Sequence, residues 1–273
     1  MKVSIIISCY NDFEYIEQSV LSAYNQTYSN KEIIVVDDGS DSKTKNKLKE
    51  LSLFIDLLIT QPNKGQSSAR NKAIENASGK YILILDSDDY WEPDFLELAL
   101  PEFEKSSVSL VTCWARCFDK NDEWIYKPKG GSLKNFLFEN ASVGNALFRK
   151  EDFKKIGGYD EDMRLGWEDW EFFIRLMNLG GICKVIPIIF FNYRKRENTT
   201  TSIANKNRYD LYRYIFTKNS QIYKTNFSST VDFLTDKLIF EEKERMKNLK
   251  RTEYILGYNI LKPYRAIKKK FRE

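Results

Sequence analysis

Val3-Ser4-Ile5-Ile6-Ile7-Ser8-Cys9-Tyr10-Asn11 and Val35-Val36-Asp37-Asp38-Gly39-Ser40 are the two stretches on which the reading of the fold turns. Each is a short, nearly continuous apolar run that stops abruptly in polar residues. A strand apolar on both sides must be covered on both faces, as in parallel sheets wrapped by helices. Reading outward, strand patterns at residues 3–7, 32–36, 55–59 and 81–85 alternate with helical ones at 12–24, 42–51 and 67–77. The predicted fold is α/β, a mostly parallel central sheet flanked by helices. Ligands of such sheets sit at the carboxyl ends of the strands, so chemistry is expected in the residues that follow each strand.

Beyond residue 90 the alternation loosens. Residues 95–104 read as helix, 108–114 as strand, 115–125 as a hairpin or excursion, 145–148 as strand, 168–179 as helix and 182–191 as strand. Residues 194–205 are polar and Thr-rich, which predicts a mobile loop. From residue 206 onward two or three helices rich in Tyr, Lys and Arg are expected. The predicted organisation is a catalytic domain at 1–204 and a basic, aromatic-rich helical extension at 205–273.

Composition narrows the chemistry. The 273 residues are 42% apolar and 30% charged, ordinary globular values, and include no histidine. Ser-His-Asp and Cys-His nucleophile systems, histidine zinc sites and imidazole acid–base catalysis are excluded, so proton transfer falls to Asp, Glu, Lys, Tyr or Cys. Cys9, Cys113, Cys117 and Cys183 form no C-x-x-C pair. The N-terminus lacks signal-peptide character, and the longest apolar runs fall short of the ~20 residues a span requires, which predicts a cytoplasmic, non-spanning protein. The net charge of +4 is uneven: residues 205–273 carry 17 Lys/Arg against 8 Asp/Glu, a net of +9, which leaves −5 for residues 1–204.

Acid gathers where the strands end. Asp37 and Asp38 follow the second strand, and Asp86, Asp88 and Asp89 the fourth. Crowded like charges require a cation or donors, and a hard divalent ion, Mg²⁺ or Mn²⁺, held by carboxylates and ligand phosphates would answer this. Tyr10 offers a ring for base stacking. The plain alternative is that Asp86, Asp88 and Asp89 merely cap the helix that follows Pro93. Arg70, in the first turn of a helix behind Gly65, could reach the cleft and grip phosphate as a planar fork, or else lie solvated on the helix surface. Glu168 and Asp169 open a helix, where the macrodipole favours anions. With Trp167 and Trp170 beside them as a wall for sugar rings, they provide the best available general base; the alternative is a helix start with core tryptophans.

These blocks, in this order, resemble the family 2 inverting glycosyltransferases of the GT-A fold. The matching pieces are residues 3–11, 35–40, Asn63-Lys64-Gly65 through Ala69-Arg70-Asn71, Leu85-Asp86-Ser87-Asp88-Asp89, Gly157-Gly158-Tyr159-Asp160 and Trp167-Glu168-Asp169. The resemblance implies transfer of a sugar from a nucleotide donor, with uridine the expected base, to a hydroxyl with inversion. It implies that Tyr10 and Asp38, with Ser8 nearby, contact the nucleobase, and that Arg70 contacts base or phosphate. Asp86 and Asp88 would be the D-x-D pair, with Asp88 the direct metal ligand. Asp169 would be the base and Glu168 an acceptor or donor contact. Many relatives have Pro at the position of Ser8 and a histidine after the last strand. Here residues 193–198 lack histidine, and Arg194 or Arg196 is expected to face the diphosphate.

The tail from Tyr264 to Arg272 interleaves aromatics and cations, which suits an interfacial helix on anionic lipid or a face packed on the protein or on another subunit. A glycan or lipid-linked saccharide acceptor, peripheral work at the inner face of the cell membrane and an open oligomeric state follow as expectations. No recognition motif accompanies the basic charge, so nucleic acid is not an expected partner. A phosphorylation receiver would be shorter and a P-loop NTPase would carry G-x-x-x-x-G-K-[ST], so both are set aside. A nucleotidyltransferase on a similar sheet would carry a Gly-rich, basic loop after the first strand, which residues 8–11 lack. A non-catalytic nucleotide-sugar or glycan-binding module remains the third reading.

Overall fold

The computed structural model describes residues 1–105, 107–196 and 200–270, with side chains to residue 261. Its first part alternates strand and helix: β1 (Val3–Cys9), α1 (Ile16–Tyr24), β2 (Lys31–Asp37), α2 (Ser42–Glu50), β3 (Leu57–Thr60), α3 (Gln66–Asn76) and β4 (Tyr81–Asp86). Then come β5 (Tyr90–Trp91), α4 (Phe95–Ala99), β6 (Val108–Phe118), β7 (Glu123–Tyr126), α5 (Leu133–Phe136), β8 (Leu147–Arg149), α6 (Lys150–Ile156), α7 (Glu168–Met177) and β9 (Ile182–Arg194). The helices α8 (Thr200–Lys206), α9 (Arg208–Lys218), α10 (Ser220–Thr225), α11 (Phe227–Leu249) and α12 (Thr252–Lys270) complete the chain.

The strands form one sheet in the order β3-β2-β1-β4-β8-β6-β9-β5, with β7 hairpinned onto β6. β1, β2, β3 and β4 are mutually parallel, and β6 and β9 are parallel to each other. The three-residue β8 runs antiparallel to both β4 and β6 and joins the two halves. Neighbouring residues of one strand enter opposite cores. Ile5, Ile7, Val35, Leu83 and Leu85 pack with α1 and α4, while Ile6, Ile34, Val36, Ile82 and Ile84 pack with α3 and α7. This is the two-sided burial that the continuous apolar runs predict, since a strand alternates faces with every residue. Emptying one such position, as in Ile6→Ala, would cost roughly 2–5 kcal/mol.

Three expectations are corrected here. The boundary at 204/205 falls inside α8, because Ala204, Leu211 and Ile215 are buried with Trp170 and Phe172, and the first compact unit runs from Met1 to Ile222. The expected loop at 194–205 holds the end of β9 and most of α8, with 197–199 outside the described residues. The third strand begins two residues late, at Leu57, and lies at the sheet edge, where most of its residues are exposed.

The second unit, from residue 223 onward, contains α11 and α12. No residue of α11 is buried, and Leu238, Phe240 and Ile260 are among its unit's exposed apolar side chains. The side chains of the basic tail from Tyr264 onward lie outside the described residues. No described helix is long and apolar enough to cross a membrane.

Candidate active site

The carboxyl ends of β1, β2 and β4 open onto a cleft of about 850 Å³, within the range of small-molecule sites. Ser8, Tyr10, Asp38, Arg70, Asp86, Asp88, Trp167, Glu168, Asp169 and Arg196 all line it. Three aspartates from distant parts of the chain, Asp38, Asp88 and Asp169, therefore share one hollow. Tyr10 is half exposed at its rim, and the buried Ser8 hydroxyl has no protein partner.

Hydrogen bonds hold the first group of carboxylates. Asp38 accepts from the Gln61 side chain and the Lys64 and Gly65 amides, each at 2.8 Å, and so folds the loop that leads into α3. Gly39 allows the close approach: a Cβ there would lie 2.6 Å from the Asn63 amide nitrogen, at φ +79°. Asp86 accepts from Gln66 at 2.6 Å, Arg70 at 2.7 Å and Asn145 at 3.1 Å. Arg70 is buried, with its other terminal nitrogen on Glu168 at 2.8 Å and its guanidinium over the Tyr159 ring. The fork expected to grip phosphate is thus occupied by two carboxylates. Tyr159 stacks on Phe172, and its backbone exchanges two hydrogen bonds with Asn71, so the Gly157–Asp160 motif serves to seat Arg70.

Asp88 is held more loosely. Its partner is Arg196, at 2.6 Å, and the same guanidinium reaches Asp12 at 2.8 Å. Burial, then the nearby Asp86 charge, pushes the Asp88 carboxyl up to about 6, although Arg196 pulls the other way. Asp89 is fully buried beside it, and burial drives its carboxyl well above the usual range. The two arginines expected at the diphosphate separate. Arg196 lines the cleft, whereas Arg194, at the end of β9, donates to the Asp88 carbonyl and to Gln18 and packs on Tyr15 and Phe118 away from the cleft lining.

The far wall is the start of α7. Trp167 precedes it in the left-handed region at φ +64°, a strained setting for a bulky residue. Burial raises the Glu168 carboxyl to about 7, with Arg70 opposing and Asp169 adding to the rise. Asp169 is also raised, by burial first, with Arg70 opposing and Asp86 reinforcing. Its Oδ2 accepts from Asn140 at 2.8 Å. Of the expected aromatic wall, Trp167 is half-buried, but Trp170 is almost wholly buried and donates its indole N–H to Phe136 at 2.6 Å. Asp12, Asn140 and Asn145 escape the sequence reading, because isolated polar residues in loops carry no periodic or motif signal, and Gln66 lies in a matching block without a role assigned to it.

Among the described residues no group of three or more Cys, Asp or Glu side chains has metal-holding geometry. Of the expected D-x-D pair, Asp86 is the more heavily hydrogen-bonded, and Asp88 keeps the freer carboxylate. One carboxylate with a cleft beside it fits an oxygen-ligand Mn²⁺ or Mg²⁺ site completed by phosphate and water. The four cysteines are buried and free, and burial raises all four thiols, Cys9, Cys113 and Cys183 to about 12, which disfavours a thiolate.

Residues 4–170 match the model of Glycosyl transferase family 2. The chain is 29% identical over 254 residues to an uncharacterized glycosyltransferase of Methanocaldococcus jannaschii, covering 85% of this chain and 87% of that one. It is 42% identical over 204 residues to the chondroitin synthase of Escherichia coli, covering 72% of this chain but 30% of that one. Among solved structures, S. aureus TarS 1–349 in complex with UDP-GlcNAc superposes with a TM-score of 0.63 at 21% identity, covering 74% of this chain and 61% of that one, and this likeness supports the GT-A-like fold. With the family model spanning more than half of its length, this chain belongs to glycosyl transferase family 2.

Proposed function

We propose that the chain is an inverting glycosyltransferase that moves a sugar from a uridine-diphosphate donor to a hydroxyl of a glycan or lipid-linked saccharide. The observation that carries this reading is the convergence of Asp38, Asp88 and Asp169, with Tyr10, on one cleft. Tyr10 and Ser8 receive the base, Asp38 shapes the loop beneath it, and Arg196 turns from Asp88 toward the diphosphate. Asp88 would hold a divalent cation, Mn²⁺ or Mg²⁺, which when bound would supply positive charge to the leaving diphosphate. Asp169 takes the proton of the acceptor hydroxyl as that oxygen attacks the anomeric carbon from the face opposite the leaving group. Burial raises the Asp169 carboxyl, which makes it a stronger proton acceptor than an ordinary aspartate. One displacement turns an α-linked donor into a β-linked product without a covalent sugar–enzyme intermediate. Glu168, locked to Arg70, fixes the start of α7 beside the acceptor.

The basic extension makes peripheral contact with anionic lipid at the inner face of the cell membrane, supported by the net charge of residues 205–273 and the exposed apolar residues of α11 and α12. Co-sedimentation with phosphatidylglycerol vesicles, absent with phosphatidylcholine, is the expected result. The function is tested by thermal shift of the protein with a panel of nucleotides, with and without Mn²⁺. A Mn²⁺-dependent rise in Tm with UDP or a UDP-sugar is expected, and no rise with any nucleotide contradicts the reading.

A further inference from the structure

Residues 139–146, between α5 and β8, form a strap along the cleft. Ala141, Ser142, Val143, Asn145 and Ala146 are buried. The strap is tied down from several sides: the Ala141 carbonyl accepts from Gly130 at 2.8 Å, the Ala146 carbonyl from Ile84 at 3.2 Å and the Asn140 carbonyl from the Tyr126 hydroxyl at 3.3 Å. Two asparagines on it reach two different carboxylates. Asn145 accepts from the Asp86 amide at 2.9 Å and donates to Asp86 Oδ2 at 3.1 Å. Asn140 accepts the Ser142 amide on its side-chain oxygen at 3.2 Å, which fixes the amide orientation and leaves Nδ2 to donate to Asp169 Oδ2 at 2.8 Å. Between them, a Cβ on Gly144 would sit 2.7 Å from Asp169 Oδ2, so only glycine leaves that oxygen its place.

We infer that Asn140 is the positioning residue for Asp169: it holds Oδ2, orients the carboxylate and favours its ionised form, while Gly144 provides the slot. This rests on the reading of Asp169 as the base. A donor to the ionised form lowers a carboxyl pKa, so losing it moves the base upward. The other groups facing Asp169 are Arg70 from α3, Asp86 at the end of β4, Tyr126 from β7, Tyr159 ahead of α7 and Glu168 beside it. Arg70 stays charged, and both tyrosines stay neutral across the working range, so a shift of the acid limb reports carboxyl groups.

The experiment measures UDP release with Mn²⁺ and the UDP-sugar that the wild type turns over, as a function of pH. Asn140→Ala is expected to lower kcat on the order of tenfold, to leave the donor KM within about twofold and to move the acid limb to higher pH. Asn140→Asp keeps the shape and the Ser142 contact but sets a second carboxylate against Oδ2. It is expected to lower kcat further and to move the limb further up, with Tm close to wild type. An unchanged kcat and acid limb in Asn140→Asp overturns the inference, as does a loss of kcat in both variants with the limb in place. A wild type that turns over no UDP-sugar overturns the functional reading instead. Carboxyl ¹³C NMR of Asp169 then decides this one: a higher pKa in the Asn140 variants supports it, and an unchanged one overturns it.

Discussion

The cleft holds two kinds of aspartate. Asp38 and Asp86 each accept hydrogen bonds from three residues of neighbouring segments, whereas Asp88 meets the Arg196 side chain and Asp169 meets the Asn140 side chain and the amides at the start of its own helix. The first pair organises the architecture: Asp38 folds the loop into α3, and Asp86 ties Arg70 to the strap. The second pair faces the cleft with lone pairs to offer. Motif membership does not separate them, since Asp86 and Asp88 stand two residues apart in one D-x-D. What differs is that, among the described residues, α3 and the loop before it tie down the carboxylates of Asp38 and Asp86 but not those of Asp88 and Asp169.

Substitutions should split along this line. Asp169→Asn keeps the shape and the Asn140 neighbour, so donor affinity and Tm should hold while transfer falls by about 10²–10⁴ in kcat. Steady-state kinetics beside a UDP titration checks this, and transfer at the wild-type rate would return Asp169 to the structural group. Asp88→Ala should abolish the Mn²⁺-dependent part of the nucleotide thermal shift at little cost to the stability of the free protein. Asp38→Ala should behave oppositely, because it strands the Lys64 and Gly65 amides and costs about 2–3 kcal/mol in urea denaturation. Acid should act on the raised carboxyls of the cleft. Glu168 and Asp88 are raised to about 7 and about 6, so both take protons as pH falls through that window and kcat/KM should drop below pH 7. A pH–rate profile flat from 8 to 5.5 would contradict this. The smallest effect expected is a rise of about three- to tenfold in donor KM for Arg196→Ala, since a half-exposed charge contact is screened.

Much of this was legible in the sequence. β1, β2 and β4 are readable because residues such as Ile5, Ile6 and Ile7 are apolar on both faces, and their acidic ends follow from where the runs stop. β5 was not readable, since two residues carry no period. The crossing of β8 between β4 and β6 depends on pairing that three residues cannot announce. That Asp38, Asp88 and Asp169 line one cleft is legible from motif and position. Arg70 is legible as a cleft residue, but its pairing with Glu168 is not, because that partner lies 98 residues away. Arg194 and Arg196 looked equivalent until the end of β9 turned the first into its own hydrogen-bond staple. Asn140 gave no signal at all: its importance comes from a carboxylate 29 residues further on.

The most direct test of the account is the anomeric configuration of the product. Proton NMR coupling constants of the glycoside formed by the wild-type protein from an α-linked UDP-sugar and Mn²⁺ read it without mutagenesis. One displacement with Asp169 as base predicts a β-linked product from the first turnover. An α-linked product would mean two displacements or a front-side path, and would contradict the role given to Asp169.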